Sequence, residues 1–203
     1  MNYQIQQLRA EIAAAAARKI AQDGADYETA VRKAAQRILG TTRFTGDQLP
    51  DYAQVEEELR QYQSIFQGDE QPERLQQLRT VALELMANLA EFQPHVTGAV
   101  LSGTAGEHDD IHLQLFGESV KDIEIFLLNK DPNIEISETP HFKGARYDPV
   151  ETISFLYRNE GVHAQLYELD DLRGSKKLRP DGRPYRVDAA GLRALMDAEA
   201  TNI

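Results

Sequence analysis

Over the first 93 residues the apolar positions recur every three or four places, the period of an α-helix packed along one side. Ile5, Leu8, Ile12 and Ile20 share a face, with Ala13, Ala16 and Ala17 beside them, and Asp23-Gly24 stops the run. Asp26 suits the cap of a second helix carrying Ala30, Val31, Ala34, Ala35, Ile38 and Leu39, which Gly40 ends by supplying a left-handed residue. Residues 41–50 have the composition of a loop. A third helix, from about Tyr52 to Gly68, places Val55, Leu59, Tyr62 and Phe66 on its stripe. Pro72 fits the first turn of a fourth, where its missing donor costs nothing. That helix carries Leu75, Leu78, Val81, Ala82, Leu85, Leu89 and Phe92, and Pro94 closes it.

Beyond Pro94 the period shortens. Residues 96–101 (VTGAVL) read as a strand and SGTAGEHDD as a turn-rich connection. Ile111, Leu113 and Leu115 then alternate with His112, Gln114 and Phe116, as in a strand with one face on the core. Residues 118–129 fit a helix, with Val120, Ile123, Phe126 and Leu127 on one side. Residues 134–137, 152–158 and 162–169 read as strands, the last two joined by Asn159-Glu160-Gly161 as a hairpin turn. A helix over 189–200 follows a basic, proline-containing segment. This order predicts an α+β chain: a helical module over 1–94, a mixed sheet with flanking helices over 95–188, and a C-terminal helix and tail over 189–203.

Composition narrows the chemistry. The 203 residues are 41% hydrophobic and 27% charged, a globular mixture. With no cysteine, a disulfide framework, a thiolate zinc site and a cysteine nucleophile are excluded. No stretch approaches the roughly 20 apolar residues that cross a bilayer, and the alanine run near the start lacks a basic leader, so it reads as helix rather than signal peptide. Lys and Arg number 22 against 33 Asp and Glu, a formal charge of -11. The mean field repels phosphate, which disfavours nucleic acid and anionic membrane as partners. A soluble, cytoplasmic protein is expected.

Residues 98–115 read GAVLSGTAGEHDDIHLQL. This resembles the nucleotidyltransferase superfamily, whose signature is a strand, a Gly-Ser turn opening a helix, then Asp-hydrophobic-Asp on the next strand. Gly103-Thr104 stands at the Gly-Ser position, Gly106 at the small residue of the short connection, and Asp110-Ile111-His112 at Asp-x-Asp. The long helix over 73–92 entering the first strand fits the same arrangement. The resemblance implies a nucleotide partner and transfer of a nucleoside monophosphate from an NTP to a hydroxyl. Gly103, Thr104 and Gly106 would hold the phosphates. Asp110 and His112 would carry the catalytic Mg2+ or Mn2+, with Glu168 recruited as the remaining metal ligand. Backbone donors at a helix start can cradle a triphosphate, and carboxylates two apart on a strand point the same way. Two departures stand out: the second aspartate is His112, and the strand expected to bring a third carboxylate, 162–169, presents His163, Gln165 and Tyr167 until Glu168. These departures keep a second outcome open, a catalytically lapsed domain that binds a nucleotide or a protein.

Three further features have plain readings. His108, Asp110 and His112, with His163 from a neighbouring strand, have transition-metal spacing, yet a half-exposed strand needs such polar positions anyway. Arg173, Lys176, Lys177, Arg179, Arg183 and Arg186, against one Asp181, could meet a phosphate but more simply make a solvated loop. The alanine-rich amino-terminal stripes are packing surface, or a surface for a protein partner or homodimer. Tyr27 and Tyr62 read as core.

Overall fold

The computed structural model describes residues 2–131, 133–173, 178–179 and 182–201. They form two compact units, Met1–Arg74 with Gly106–His108, and Leu75–Ala105 with Asp109–Ile203. The class is α+β, as the residue pattern predicts. Among the described residues no helix is long and apolar enough to cross a membrane.

The first unit holds α1 (Asn2–Asp23), α2 (Tyr27–Leu39) and α3 (Tyr52–Phe66). Asp26 caps α2 by accepting the Thr29 N–H at 2.9 Å, and Gly40 ends it at φ 65°. Asp51 and Gln54 open α3 as a capping box, each side chain accepting the other's backbone N–H at 3.0 Å. Ile12, Ala13, Ala16 and Ala17 of α1 bury against Ala30, Val31, Ala34 and Ala35 of α2 and Val55 and Leu59 of α3. Alanine on facing stripes lets the helix axes approach closely. The Tyr27 ring packs on Tyr52 at 4.8 Å, and Tyr62 accepts a 2.7 Å hydrogen bond from Gln22. The α3 stripe differs from expectation at its end: Gln63 is buried and Phe66 is 67% exposed.

In the second unit, α4 (Glu70–Asn88) buries Leu75, Leu78, Ala82, Leu85 and Met86 in the core of a five-stranded sheet. The expected boundary at Pro94 therefore falls inside α4 instead, because the sheet covers this helix's apolar stripe. The strands are β1 (His95–Thr97), β2 (Ile111–Gly117), β3 (Glu135–Thr139), β4 (Val150–Tyr157) and β5 (Glu160–Glu168). They lie in the order β1-β2-β5-β4-β3, with β2 parallel to β5 and every other neighbour antiparallel. Helices α5 (Gly98–Ser102), α6 (Val120–Lys130), α7 (Leu169–Leu172) and α8 (Ala189–Thr201) complete the unit.

Three expectations are corrected here. Of residues 96–101 only Val96 and Thr97 are strand, because Gly98 takes φ 67° and starts α5. The hairpin turn is Arg158-Asn159, one residue earlier than expected, with φ 53° and 68°. Both central residues are left-handed, as a two-residue type I′ turn requires, and Glu160 already pairs with Tyr157. The C-terminal helix is not a separate tail: Leu192 is fully buried in the sheet core, and Glu199 pairs with the buried Arg79 of α4.

Leu113 has no exposed surface and sits mid-strand between β1 and β5. Leu113→Ala should lower unfolding free energy by about 2–5 kcal/mol, read from urea denaturation at unchanged slope.

Candidate functional site

Strands β2 and β5 run side by side in the register Ile111↔Val162 and His112↔His163 through Gly117↔Glu168, while β4 sets Ser154 opposite His163. Side chains alternate between faces, so Ile111, Leu113, Val162, Ala164 and Ile153 enter the helix-covered core. The other face carries three rows across the strands. Phe116 and Tyr167 stack at 5.4 Å, and the Arg186 guanidinium lies 4.9 Å from the Phe116 ring and 4.6 Å from Phe142. Burial pushes the Tyr167 hydroxyl up to about 12. In the next row Gln114 donates to Gln165 at 3.3 Å, Gln165 to Thr139 at 3.0 Å, and the Thr139 and Thr152 hydroxyls meet at 2.7 Å. Gln114, Phe116, Thr152 and Tyr167 are all buried, so the expected solvent face of β2 is exposed only at His112.

The row left open to solvent is His112, His163 and Ser154, with Asp110 at its head. His163 bonds Ser154 Oγ through Nδ1 at 2.8 Å and Asp110 Oδ2 through Nε2 at 3.0 Å. The Asp110 and His163 side chains are 45% and 34% exposed, reachable from solvent. His112 stacks on His163 at 4.9 Å. His112 keeps surface open to water, but the protein packed around its ring partly desolvates it and lowers its pKa, His163 lowers it further, and Asp110 opposes both. A Cβ at Gly161 would overlap the Asp110 carboxylate, so only glycine there leaves the carboxylate its seat.

The phosphate-binding expectation meets a different geometry. Gly103 does not open a helix; it terminates α5 in the left-handed conformation at φ 87°. The successive N–H groups of Gly103, Thr104 and Ala105 all point at the Ala99 carbonyl, at 3.0, 3.1 and 3.2 Å. Convergent amides of this kind form an anion-binding concavity, and here the chain's own oxygen fills it. The Thr104 hydroxyl is buried and bonded to Ser102 at 2.9 Å. Gly106 belongs to the first unit, where it lines a cleft of about 180 Å³ with Gln67, Glu70, Gln71, Arg74 and Glu107. Two carboxylates against one guanidinium do not suit a polyanion.

The metal expectation fares similarly. Asp110 and His112 are adjacent at the start of β2, but Glu168 pairs with Gly117 at the far end of β5. From His163 to Glu168 the strand advances about 16 Å and changes face. Among the described residues no three His, Asp or Glu side chains are placed to hold a metal ion. Mg2+ demands near-octahedral oxygen ligands, and Mn2+ also favours carboxylate and water. One carboxylate bonded to an imidazole does not fit either ion. His108 falls with the first unit, and among the described residues no H-x-D-x-H cluster of three metal-ligating side chains forms. Of the basic segment, Lys176, Lys177 and Asp181 lie outside the described residues, Arg173 pairs with Asp170 at 3.0 Å, and Arg186 is the aromatic-held cation.

Ser154 is the site residue that sequence reasoning missed. It alternates with Ile153 and Phe155 like any outward strand position, and only the β4–β5 register gives it a histidine.

Two outcomes follow from the site. The pKa of His112 is depressed on folding, as is that of His95, where burial is also the largest cause. The unfolded chain then binds protons more readily, so stability should fall as pH drops below about 6.5, the unperturbed value for histidine. Urea midpoints at pH 7 and pH 5 measure the fall, and His112→Asn should shrink it. Gly161→Ala should displace the Asp110 carboxylate and change the His163 ring resonances in NMR spectra. Comparisons of the chain with protein-family models, with curated proteins and with solved structures gave no match.

Proposed function

We propose that the sheet unit is a nucleotidyltransferase-like domain that has lapsed as a transferase and serves as a binding module, with a protein as its partner. The observation that carries this reading is the register of β2 and β5. The strand that Asp110 leads into and that holds His112 lies parallel to β5, and the residue facing His112 is His163. A two-metal transfer needs carboxylates at such facing positions to hold cations that neutralise the migrating phosphoryl group. Two stacked imidazoles supply neither the charge nor the oxygen ligands. The same logic favours a protein over a nucleotide, since the Gly103 loop directs its amides at Ala99. Helix α6 also turns Ile125 and Leu128, three residues apart, toward solvent. A cytoplasmic setting accords with the cysteine-free composition.

Incubation with each of the four ribonucleoside triphosphates, plus Mg2+ or Mn2+, should release no pyrophosphate above background. Calorimetric titration with the same triphosphates should give no binding heat at about millimolar ligand, an affinity weaker than about -4 kcal/mol. Pyrophosphate release abolished by Asp110→Ala would restore the transferase reading, with Asp110 and His112 as metal ligands. Triphosphate binding without turnover would make the module a nucleotide binder.

A further inference from the structure

Asp110 just ahead of β2, His163 of β5 and Ser154 of β4 are far apart in the chain, yet their functional atoms form one continuous hydrogen-bonded chain. An ionised carboxylate can only accept, so the 3.0 Å contact requires a proton on His163 Nε2. With Nε2 protonated in the neutral ring, Nδ1 carries the lone pair and accepts the Ser154 hydroxyl proton at 2.8 Å. That is a nucleophile, a base and a group that orients the base, the logic of the Ser-His-Asp relay with the two ring nitrogens exchanged. Three features support it beyond the distances. Gly161 leaves the carboxylate room against the strand. His163 and Ser154 stand on β5 and β4, and Asp110 directly precedes the first residue of β2, so the sheet holds the histidine and serine and anchors the carboxylate next to them. Asp110 and His163 remain accessible while the neighbouring glutamine row is closed by its own bonds.

We propose that Ser154 is an activated nucleophile that accepts acyl groups from activated esters, a reactivity beyond the binding-module reading. In the first step Ser154 Oγ attacks the acyl carbonyl carbon as its proton passes to His163 Nδ1. The ester C–O bond breaks, and the departing alcohol takes that proton, leaving acyl-Ser154. In the second step a water gives a proton to Nδ1 and attacks the acyl carbon, releasing the acid and returning the proton to Oγ. Asp110 is a positioning residue: it fixes the tautomer and balances the charge of the imidazolium. β4 pairs on both sides, with β3 and β5, so backbone amides beside Ser154 are engaged in the ladder and do not form an oxyanion hole. Loss of such donors typically lowers rates by about 100- to 1,000-fold, which confines the substrate class to esters with good leaving groups. Leu156, two residues on along the same face and 67% exposed, offers an apolar rest for a short acyl chain.

The full chain would be treated with a fluorophosphonate probe and, separately, with p-nitrophenyl acetate, and the adduct located by peptide mass spectrometry. Time-dependent modification at Ser154, faster than at any other serine and absent in Ser154→Ala, is expected. His163→Gln and Asp110→Asn should each slow it by about a hundredfold, the usual scale of general-base assistance. Absence of an adduct at Ser154, or an unchanged rate in His163→Gln, would overturn the proposal. Should the variants fail to fold, ¹⁵N NMR of the unmodified protein decides: the Nε2–H tautomer of His163 is required, and an Nδ1–H tautomer overturns the proposal.

Discussion

The parallel pairing of β2 with β5 is the constraint on which the second unit depends. Because side chains alternate strictly, one register sets both faces at once. With Ile111 beside Val162, the residues Leu113, Ala164, Leu115 and Leu166 all enter the core, each with almost no exposed surface. The same register sets His112 beside His163 and Gln114 beside Gln165. A slip of one residue would drive imidazoles into the core and turn leucines to water, at roughly 1.5–3 kcal/mol for each large apolar side chain exposed. Parallel strands cannot be joined by a tight turn, so α6, β3 and β4 fill the crossover. The antiparallel return of β4 then brings Ser154 to His163. Packing demands alone thus assemble the polar row.

The glycine-containing loop after α5 owes its conformation to a different force. Arg79 of α4 is almost wholly buried, and a buried guanidinium is tolerated only when its donors find partners. Its Nε donates to the Val100 carbonyl at 3.0 Å, and the rest of the group pairs with Glu199 of α8. The cation therefore sits against the Val100 carbonyl of α5 and ties α4, α5 and α8 together. Gly103 turns the chain directly beside it, with Arg79 Nη2 3.6 Å from where a Cβ would stand. A loop with its amides on Ala99 and an arginine at its back is a structural joint. The same glycine spacing in a phosphate-binding loop would point those amides outward.

How much was legible depended on the range of the forces involved. Helices α1 to α4 and α6 could be read because capping and apolar periodicity are local: Asp26, Asp51 and Gly40 act within one turn. The strand expected over 96–101 failed at Gly98, whose left-handed backbone is a decision of the surrounding fold that a VTGAVL string does not reveal. The hairpin turn starts one residue earlier because Arg158 accepts a left-handed φ while its side chain pairs with Glu84 at 2.6 Å, a contact 74 positions away. The Asp-x-His spacing by itself puts Asp110 and His112 side by side at the head of β2. The distance of Glu168 from them depends on strand length and parity together, which the spacing of residues alone does not contain.

By itself the sequence determined the α+β order, the exclusion of cysteine chemistry, and the helical packing of the amino-terminal unit. These rest on composition and on contacts three or four residues apart. Only the tertiary structure decided that α4 belongs to the sheet, that the glycine loop closes on its own carbonyl, and that Asp110, His163 and Ser154 share one hydrogen-bonded row. Each of those outcomes is a pairing between distant segments. Strand register and buried charge set such pairings across the whole fold, so no local window of residues contains them.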